Sequence, residues 1–332
     1  FEKFPKSFDT QDWYLDWNAL LRPFVETIHK DLQTMVNDSE YVSGAMCLIA
    51  DEGMGKSSVL KMVMEQSNTP THLLKVEAII RDGNWTVEKL GDWLCDGLGI
   101  SRQDSLSEVY QSIENLPNAI IGIDDIQRVF LRDVQGFEVI NQLFSIIQAT
   151  SGKHCWIVSC HQPTWTFWDS LSTPIRTDFF QYRYALKPWS VLEVRSAILN
   201  MISQRGLSLD FSTLTNLNNP QAVHRAEMAF WRLLTDATKG NPSTSMQLFK
   251  QCAIRSRIEN TVGIQMFSLR QSEVLNQLDD GAGFVLACVL MHNRCTLDEL
   301  CNSLQMSQSL VVSICRQLVA SSLLSVNRLH YQ

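Results

Sequence analysis

Hydrophobic and polar positions alternate between a strand-like and a helix-like pattern from residue 45 to residue 186. The strand-like segments are short apolar runs at residues 45–50, 72–80, 119–123, 155–159 and 180–186. Helical segments separate these runs, with apolar residues three and four positions apart. Strands that alternate with helices are typical of a parallel sheet covered on both faces, so the pattern predicts an α/β fold.

After the fifth run the strand-like pattern ends and helical signals replace it. Ser190 and Glu193 form a capping box, in which each side chain binds an orphan backbone N–H at the start of a helix. A second helix is predicted from Gln221 to Thr238. Pro242 suits the first turn of a third helix, because the fixed φ of proline matches the helical value. These signals predict an all-α segment.

The C-terminal segment has a pattern of its own. Thr296 and Glu299 form a second capping box at the start of a short helix. Another helix is predicted over residues 307–321, and residues 323–331 are predicted to form a small hairpin. The order helix, turn, helix, hairpin predicts a winged-helix domain.

These patterns divide the chain into four parts. We expect residues 1–44 to form a lead-in with an amphipathic helix and residues 45–188 to form the α/β core. Residues 189–262 are the helical domain, and residues 263–332 are the winged helix. The chain begins at Phe1 without an initiator Met or a signal-peptide pattern, so we expect it to be part of a longer polypeptide.

Composition and charge narrow the class of protein. Of the 332 residues, 45% are hydrophobic and 19% are charged, which excludes intrinsic disorder over most of the chain. The 28 basic and 35 acidic residues give a net charge of −7, which disfavours a broad surface for nucleic acid. The longest apolar run, Gly283 to Met291, is too short for a membrane span, which needs roughly 20 residues.

The nine cysteines are scattered through apolar segments and contain no Cys-x-x-Cys pair. This usage indicates reduced core thiols and a cytoplasmic location. Cys155 and Cys160, like His154 and His161, are an odd number of positions apart on a predicted strand and therefore point to opposite faces. The sequence therefore predicts no zinc site in this stretch.

A glycine-rich loop follows the first predicted strand. It consists of Gly53, Met54, Gly55, Lys56, Ser57 and Ser58 and leads into an apolar helix. Glycines let backbone N–H groups approach phosphates, Lys56 can reach the β and γ phosphates, and the Ser57 hydroxyl can bind Mg²⁺. Ala50 stands where the G-x-x-x-x-G-K-[ST] pattern has glycine, a position where a small residue is tolerated. The alternative to a phosphate-binding loop is a glycine-rich turn that arises by chance.

Two acidic residues end the third predicted strand. Asp124 and Asp125 follow the apolar run 119–123, about 70 residues after the glycine-rich loop. We expect Asp124 to bind Mg²⁺ directly or through water, and Asp125 to orient or deprotonate the attacking water. An ordinary turn at the end of a strand is the alternative.

The loop, the acidic strand and the later helices resemble a P-loop ATPase of the AAA+ superfamily or its STAND relatives over roughly residues 20–330. The run Ile123-Asp124-Asp125-Ile126-Gln127 is similar to the acidic-strand motif of DnaA and ORC initiators and of transposition ATPases in the TnsC and TniB group. The resemblance implies the strand order 5-1-4-3-2, a helical lid, and bound ATP or ADP with Mg²⁺ between core and lid.

The resemblance also implies roles for further residues. Ser159, at the end of the fourth strand, matches a residue that contacts the γ phosphate or the attacking water, with His161 as a substitute. Arg176 matches an arginine finger that reaches a neighbouring subunit. Pro242 lies in Gly240-Asn241-Pro242, a lid motif that an arginine follows in many relatives. This chain has Ser243 there, which implies slow hydrolysis. His330 matches a histidine that contacts bound diphosphate in STAND proteins.

Three functions fit these features. The favoured hypothesis is an ATP-dependent molecular switch that hydrolyses ATP slowly and assembles with itself or with protein partners. The second is a DNA-associated regulator of the initiator or transposition type, which the acidic charge disfavours. Residues 268–332 carry four arginines against five acidic residues, so 4 − 5 gives a charge of −1. The third is a nucleotide-binding structural subunit with little turnover.

Overall fold

The computed structural model describes residues 13–35, 42–76, 85–130, 134–171, 177–215, 219–256, 258–268, 275, 278–292, 294–327 and 330–331. The chain divides into two compact units. The first consists of residues 1–22, 53–55 and 187–271, and the second of residues 23–52, 56–186 and 272–332. The predicted domain boundaries after residues 44, 188 and 262 stay predictions.

A five-stranded parallel sheet forms the centre of the second unit. Its strands are β1 (Gly44–Ala50), β2 (Thr71–Lys75), β3 (Ile120–Asp124), β4 (Cys155–His161) and β5 (Tyr182–Ala185). The order across the sheet is β2-β3-β4-β1-β5, and all four pairings are parallel. The predicted α/β class and the strand order 5-1-4-3-2 are therefore confirmed. The second strand ends at Lys75, and the remainder of the predicted run, from residue 77 onward, lies outside the described residues.

Helices cover this sheet. The helices are α1 (Trp17–Thr34), α2 (Lys56–Glu65), α3 (Val87–Leu98), α4 (Leu106–Asn115), α5 (Val134–Thr150) and α6 (Gln162–Ser170). Every residue of β1 and β4 is buried, because strands at the middle of a parallel sheet have helices on both faces. The amphipathic helix predicted over residues 20–35 is α1.

Three α-helices and a small sheet lie within the described residues 187–268 of the first unit. The helices are α7 (Val191–Ser203), α8 (Pro220–Thr238) and α9 (Pro242–Cys252), and the strands are β6 (Ser208–Asp210), β7 (Ala253–Arg255) and β8 (Thr261–Ile264), in the order β6-β8-β7. The Ser190 and Glu193 capping box is present. The prediction of an all-α segment is wrong in one respect, because strands of three and four residues are too short to show a period in the sequence.

A buried aromatic cluster holds the first unit together. Trp13 stacks on Phe249 with 6.0 Å between ring centroids, and Trp231 stacks on Phe249 at the same distance. Phe230 contacts both Trp231 and Phe249. Trp13, Phe230, Trp231 and Phe249 are 1% exposed or less. The lead-in segment at Trp13 therefore belongs to the core of this unit.

The described residues 278–331 of the second unit include three helices and three short strands. These are α10 (Asp280–His292), β9 (Cys295–Thr296), α11 (Leu297–Leu304), α12 (Gln308–Ala320), β10 (Val326–Asn327) and β11 (His330–Tyr331), with the strand order β10-β11-β9. The capping box of Thr296 and Glu299 is present. The described residues contain the two predicted helices and an antiparallel pair, β10 and β11, which β9 extends. The winged-helix domain stays a prediction.

The structure also bears on the membrane and thiol predictions. Within the described ranges, no helix combines the length and the apolar character that crossing a membrane requires.

Eight of the nine cysteines are buried, and Cys301 is half-buried. Burial raises the pKa of the Cys155 thiol to about 12, so this thiol is protonated at neutral pH.

Candidate functional site

The loop between β1 and α2 has the backbone that a glycine-rich phosphate loop requires. Gly53 has φ of 78° and Gly55 has φ of 97°, values that side chains with a Cβ rarely adopt. Gly55 is also closely packed, since a Cβ there would lie 2.9 Å from Leu21 Cδ1 and 3.0 Å from Trp17 Cζ3. Any larger residue at Gly55 would force the loop backbone or these side chains to move.

Lys56 is the first residue of α2 and is only 4% exposed. Its ammonium donates hydrogen bonds of 3.0 Å to the Ala50 carbonyl and 3.0 Å to the Asp51 carbonyl. An ammonium has three N–H donors, one more than these bonds use. The positive end of the α2 dipole lies at the same place, so charge and backbone both favour an anion at this loop.

The Asp124 carboxylate joins residues from three parts of the chain. Ser57 Oγ donates to Asp124 Oδ1 over 3.0 Å, and Ser159 Oγ donates to the same oxygen over 2.7 Å. The Ser159 hydroxyl also accepts the backbone N–H of Asp125 at 2.8 Å. Ser57, Asp124 and Ser159, separated by up to 102 residues of sequence (159 − 57), are therefore brought together in the structure.

Opposing effects act on the pKa of Asp124. Burial raises it most, and the neighbouring charge of Asp125 raises it further. The hydrogen bonds from Ser159 and Ser57 and the charge of Lys56 lower it, but the balance leaves the pKa above its ordinary value. A carboxylate whose ionised form is this costly gains from a bound cation, which makes Asp124 a suitable metal ligand.

Asp125 has left-handed backbone angles, with φ of 58° and ψ of 54°. Its Oδ1 accepts a 3.0 Å hydrogen bond from Gln127 Nε2, and its Oδ2 lies 3.7 Å from Arg128 Nε. The side chain of Asp125 is 20% exposed, whereas that of Arg128 is 5% exposed. Both carboxylate oxygens are therefore held by the turn that follows β3.

Gln127 ends the acidic-strand motif, and the sequence predicted no role for it. Its side chain is 0% exposed, and its Oε1 accepts the backbone N–H of His161 at 3.1 Å. Its amide therefore connects the Asp125 carboxylate to the end of β4. The available signal was an amide two positions after Asp-Asp, between the apolar residues Ile126 and Val129, where a buried polar side chain requires partners.

His161 is buried at the end of β4, one residue before α6. Burial lowers its pKa, the charge of Lys56 lowers it further, and the charge of Asp51 opposes both effects. The neutral imidazole therefore dominates at neutral pH. Ser159 contacts the acidic pair directly. Its hydroxyl donates to Asp124 Oδ1 and accepts the Asp125 N–H.

Pro242 begins α9, as predicted, and Asn241 caps it by accepting the Thr244 N–H at 3.0 Å. The start of this helix contacts the glycine-rich loop within the first unit. The Ser243 N–H donates to the Gly53 carbonyl at 3.3 Å. A Cβ on Gly53 would lie 2.7 Å from Ser243 Cβ and 2.9 Å from Asn241 Oδ1, so only glycine permits this approach.

Two predicted residues are outside the part of the chain that the structure describes in full. Arg176 is outside the described residues, and the side chain of His330 is as well. Arg183 donates to the Thr177 carbonyl at 2.7 Å and stacks over Trp165, so it stabilises the fold beside β5. Met54 is buried, and Ser58 is half-buried in the first turn of α2. In the part of the chain that is described, no group of three or more His, Cys, Asp or Glu residues could hold a metal by itself.

Residues 40–166 match the model of a protein family described as an AAA domain. This segment contains the loop, the acidic strand and Ser159. A comparison with curated proteins finds no match.

Solved structures similar to the chain include the ORC1 protein of Aeropyrum pernix in complex with DNA, with a TM-score of 0.49 and 14% identity over 96% of this chain and 87% of that one. The Cdc6p protein of Pyrobaculum aerophilum has a TM-score of 0.39 and 11% identity over 99% of this chain and 93% of that one. A mutant RuvB protein of Thermotoga maritima has a TM-score of 0.40 and 14% identity over 96% of this chain and 91% of that one. At these identities and TM-scores, the similar structures do not indicate the function of this chain.

Proposed function

We propose that the chain, whose residues 40–166 match a family model described as an AAA domain, binds ATP with Mg²⁺ and hydrolyses it slowly as a molecular switch. The main support for this proposal is that Asp124 Oδ1 accepts two hydrogen bonds. Ser57 from the loop helix and Ser159 from β4 both donate to it, at 3.0 Å and 2.7 Å. A hydroxyl and a carboxylate meet where the phosphate loop and the acidic strand converge, as Mg²⁺-ATP chemistry requires.

The loop suits the triphosphate of ATP. Gly53 and Gly55 supply backbone N–H groups that no Cβ obstructs, and α2 begins immediately after them. Lys56 supplies a buried positive charge at the start of that helix. Together these groups can neutralise the β and γ phosphates, which is the largest electrostatic requirement for binding ATP.

Ser57 and Asp124 are the residues that would hold Mg²⁺. Magnesium prefers oxygen ligands and usually takes only one or two protein groups, with water and phosphate completing its shell. The bound ion would neutralise charge on the phosphates. The raised pKa of Asp124 agrees with this role, because the site favours positive charge beside that carboxylate.

Asp125 is the group that we propose orients the attacking water. Its carboxylate is adjacent to Asp124 in sequence, is partly exposed, and is held by Gln127 and Arg128. Ser159 holds the Asp125 backbone and the Asp124 carboxylate, so it aligns both acidic residues. A contact between Ser159 and the γ phosphate, and a role of Arg176 across a subunit interface, stay predictions.

The switch is supported by the contact between the loop and α9. Because the Gly53 carbonyl accepts the Ser243 N–H, a change of the loop backbone on nucleotide binding alters the start of α9. Ser243 replaces the arginine that often follows the lid motif in AAA+ proteins, which favours slow turnover. We propose that ATP promotes assembly of the chain with itself or with protein partners and that hydrolysis reverses it.

Association with DNA is the second candidate function. The order of α10, β9, α11, α12 and the pair β10–β11 supports the predicted winged helix of residues 263–332, a module that many DNA-binding proteins use. Arg316 is the only basic residue of α12, so phosphate contacts would be sparse. For this reason we favour protein partners.

Light scattering and phosphate release, measured together, test the proposal. The purified chain is studied with ADP, ATP and a non-hydrolysable ATP analogue, with and without duplex DNA at moderate salt. We expect assembly with ATP and with the analogue, slow phosphate release, and no effect of DNA. DNA-stimulated assembly would favour the second function, and nucleotide binding without assembly or turnover would indicate a structural subunit.

A further inference from the structure

The Gln127 amide is fixed at both ends inside the protein. Nε2 donates to Asp125 Oδ1 at 3.0 Å, and Oε1 accepts the His161 N–H at 3.1 Å. The side chain is 0% exposed, so water cannot replace either partner. Rotating the amide would place a donor against the His161 N–H and an acceptor against the Asp125 carboxylate, and both contacts would become repulsive.

This arrangement ties the direction of the Asp125 carboxylate to β4. Asp125 lies after the end of β3, in a left-handed backbone conformation. Gln127 fixes its side chain at Oδ1, while Arg128 lies 3.7 Å from Oδ2. β4 pairs with β3 and carries Ser159, which holds Asp124. Gln127 therefore aligns Asp125 with the strand that aligns Asp124.

We propose that Gln127 is a positioning residue for ATP hydrolysis: its amide holds the Asp125 carboxylate in the direction that orients the attacking water. This inference is based on the proposed function and adds a residue to it. Gln127 acts through Asp125 and touches neither nucleotide nor metal in this role. Its loss therefore lowers turnover and leaves nucleotide binding intact.

Two substitutions of Gln127 separate a positioning role from a purely structural one. Gln127→Glu keeps the shape of the side chain and the acceptor for the His161 N–H, but it removes the donor to Asp125 and adds a like charge. Gln127→Leu keeps most of the volume and removes both hydrogen bonds. Gln148→Glu is the matched control, because Gln148 is an exposed glutamine on α5.

Steady-state phosphate release gives kcat and KM for each variant, and thermal melting checks that each is folded. We expect both Gln127 variants to lose at least about tenfold in kcat, since a misplaced catalytic group costs up to about 100-fold. KM should stay within about twofold, because ground-state binding is unchanged. A Gln127→Glu variant with the kcat of the parent chain, or losses confined to KM, would overturn the inference.

A double-mutant cycle with Asp125→Asn tests whether Gln127 acts through Asp125. Once the Asp125 carboxylate is gone, Gln127→Leu should lower the remaining turnover by less than about twofold. A second loss as large as in the parent chain would show that Gln127 acts independently, and would overturn the inference.

The same assay separates the failure of this inference from the failure of the proposed function. A parent chain that binds ATP and hydrolyses it, with Gln127→Glu equally active, would overturn the inference alone. A parent chain with no turnover under any condition would overturn both.

Discussion

Replacing Ser159 by alanine removes the hydroxyl that joins the two acidic residues. That hydroxyl donates to Asp124 Oδ1 at 2.7 Å and accepts the Asp125 N–H at 2.8 Å, and Ser159 is 0% exposed. A hydrogen bond to a charged group contributes about 2 kcal/mol, and an unsatisfied buried N–H costs about 1 kcal/mol or more. Ser159→Ala should therefore lower the free energy of unfolding by about 3 kcal/mol.

Urea unfolding measures this loss. The matched control is Ser145→Ala, because the Ser145 hydroxyl is exposed on α5 and donates only to the Asn141 carbonyl in its own helix. The control should change the free energy of unfolding by less than about 0.5 kcal/mol. A Ser159→Ala loss that equals the control would show that the hydrogen bonds of Ser159 contribute nothing to the acidic site.

Ser159→Ala should also change the pH dependence of turnover. The Ser159 hydrogen bond lowers the pKa of Asp124, so its removal raises that pKa further above the ordinary value. Magnesium binding requires the ionised carboxylate. The acid limb of the turnover profile should therefore move to higher pH, as phosphate release across a pH series would show. An unmoved acid limb would refute this assignment of Asp124.

Asp124→Asn should make the nucleotide-free chain more stable at neutral pH: the folded pKa of Asp124 lies above its ordinary value of 3.8, so folding disfavours its charged form. By the same linkage, the stability of the parent chain should fall as pH rises from 3.8 through the raised pKa, and thermal melts of the variant should lack this fall. Asp125→Asn should bind ATP normally and release phosphate at least about 100 times more slowly, and equal turnover would exclude Asp125 as the water-orienting group. Gly55→Ala should weaken ATP binding and lower the melting temperature, because φ is 97° and Trp17 and Leu21 leave no room, whereas Gly152→Ala should do neither, because its Cβ would meet nothing within 4 Å.

The sequence was sufficient for those features that depend on long apolar runs or on short contiguous motifs. The buried strands, the capping boxes and the glycine-rich loop are of this kind, and each lies where the pattern predicts it. The meeting of Ser57, Asp124 and Ser159 also follows, since parallel strands place their carboxyl ends at one edge of a sheet.

Other features depend on contacts that a linear pattern does not encode. The strands β6, β7 and β8 have three or four residues each, too few for a period of two to be visible. The role of Gln127 depends on the left-handed turn at Asp125 and on the pairing of β3 with β4, which together bring a side chain of the turn to the His161 N–H. The close approach of Ser243 to Gly53 likewise arises only from the tertiary fold.

Equilibrium binding of a fluorescent ATP analogue to the parent chain and to Lys56→Ala, each with Mg²⁺ and with a chelator, tests the central claim most directly. The buried Lys56 ammonium provides the positive charge at the loop, and Ser57 and Asp124 would hold the metal. We expect the parent chain to bind the analogue more tightly with Mg²⁺, and Lys56→Ala to bind at least about 100-fold more weakly. Equal affinity of the two proteins, unaffected by Mg²⁺, would contradict the assignment of this loop as the ATP site.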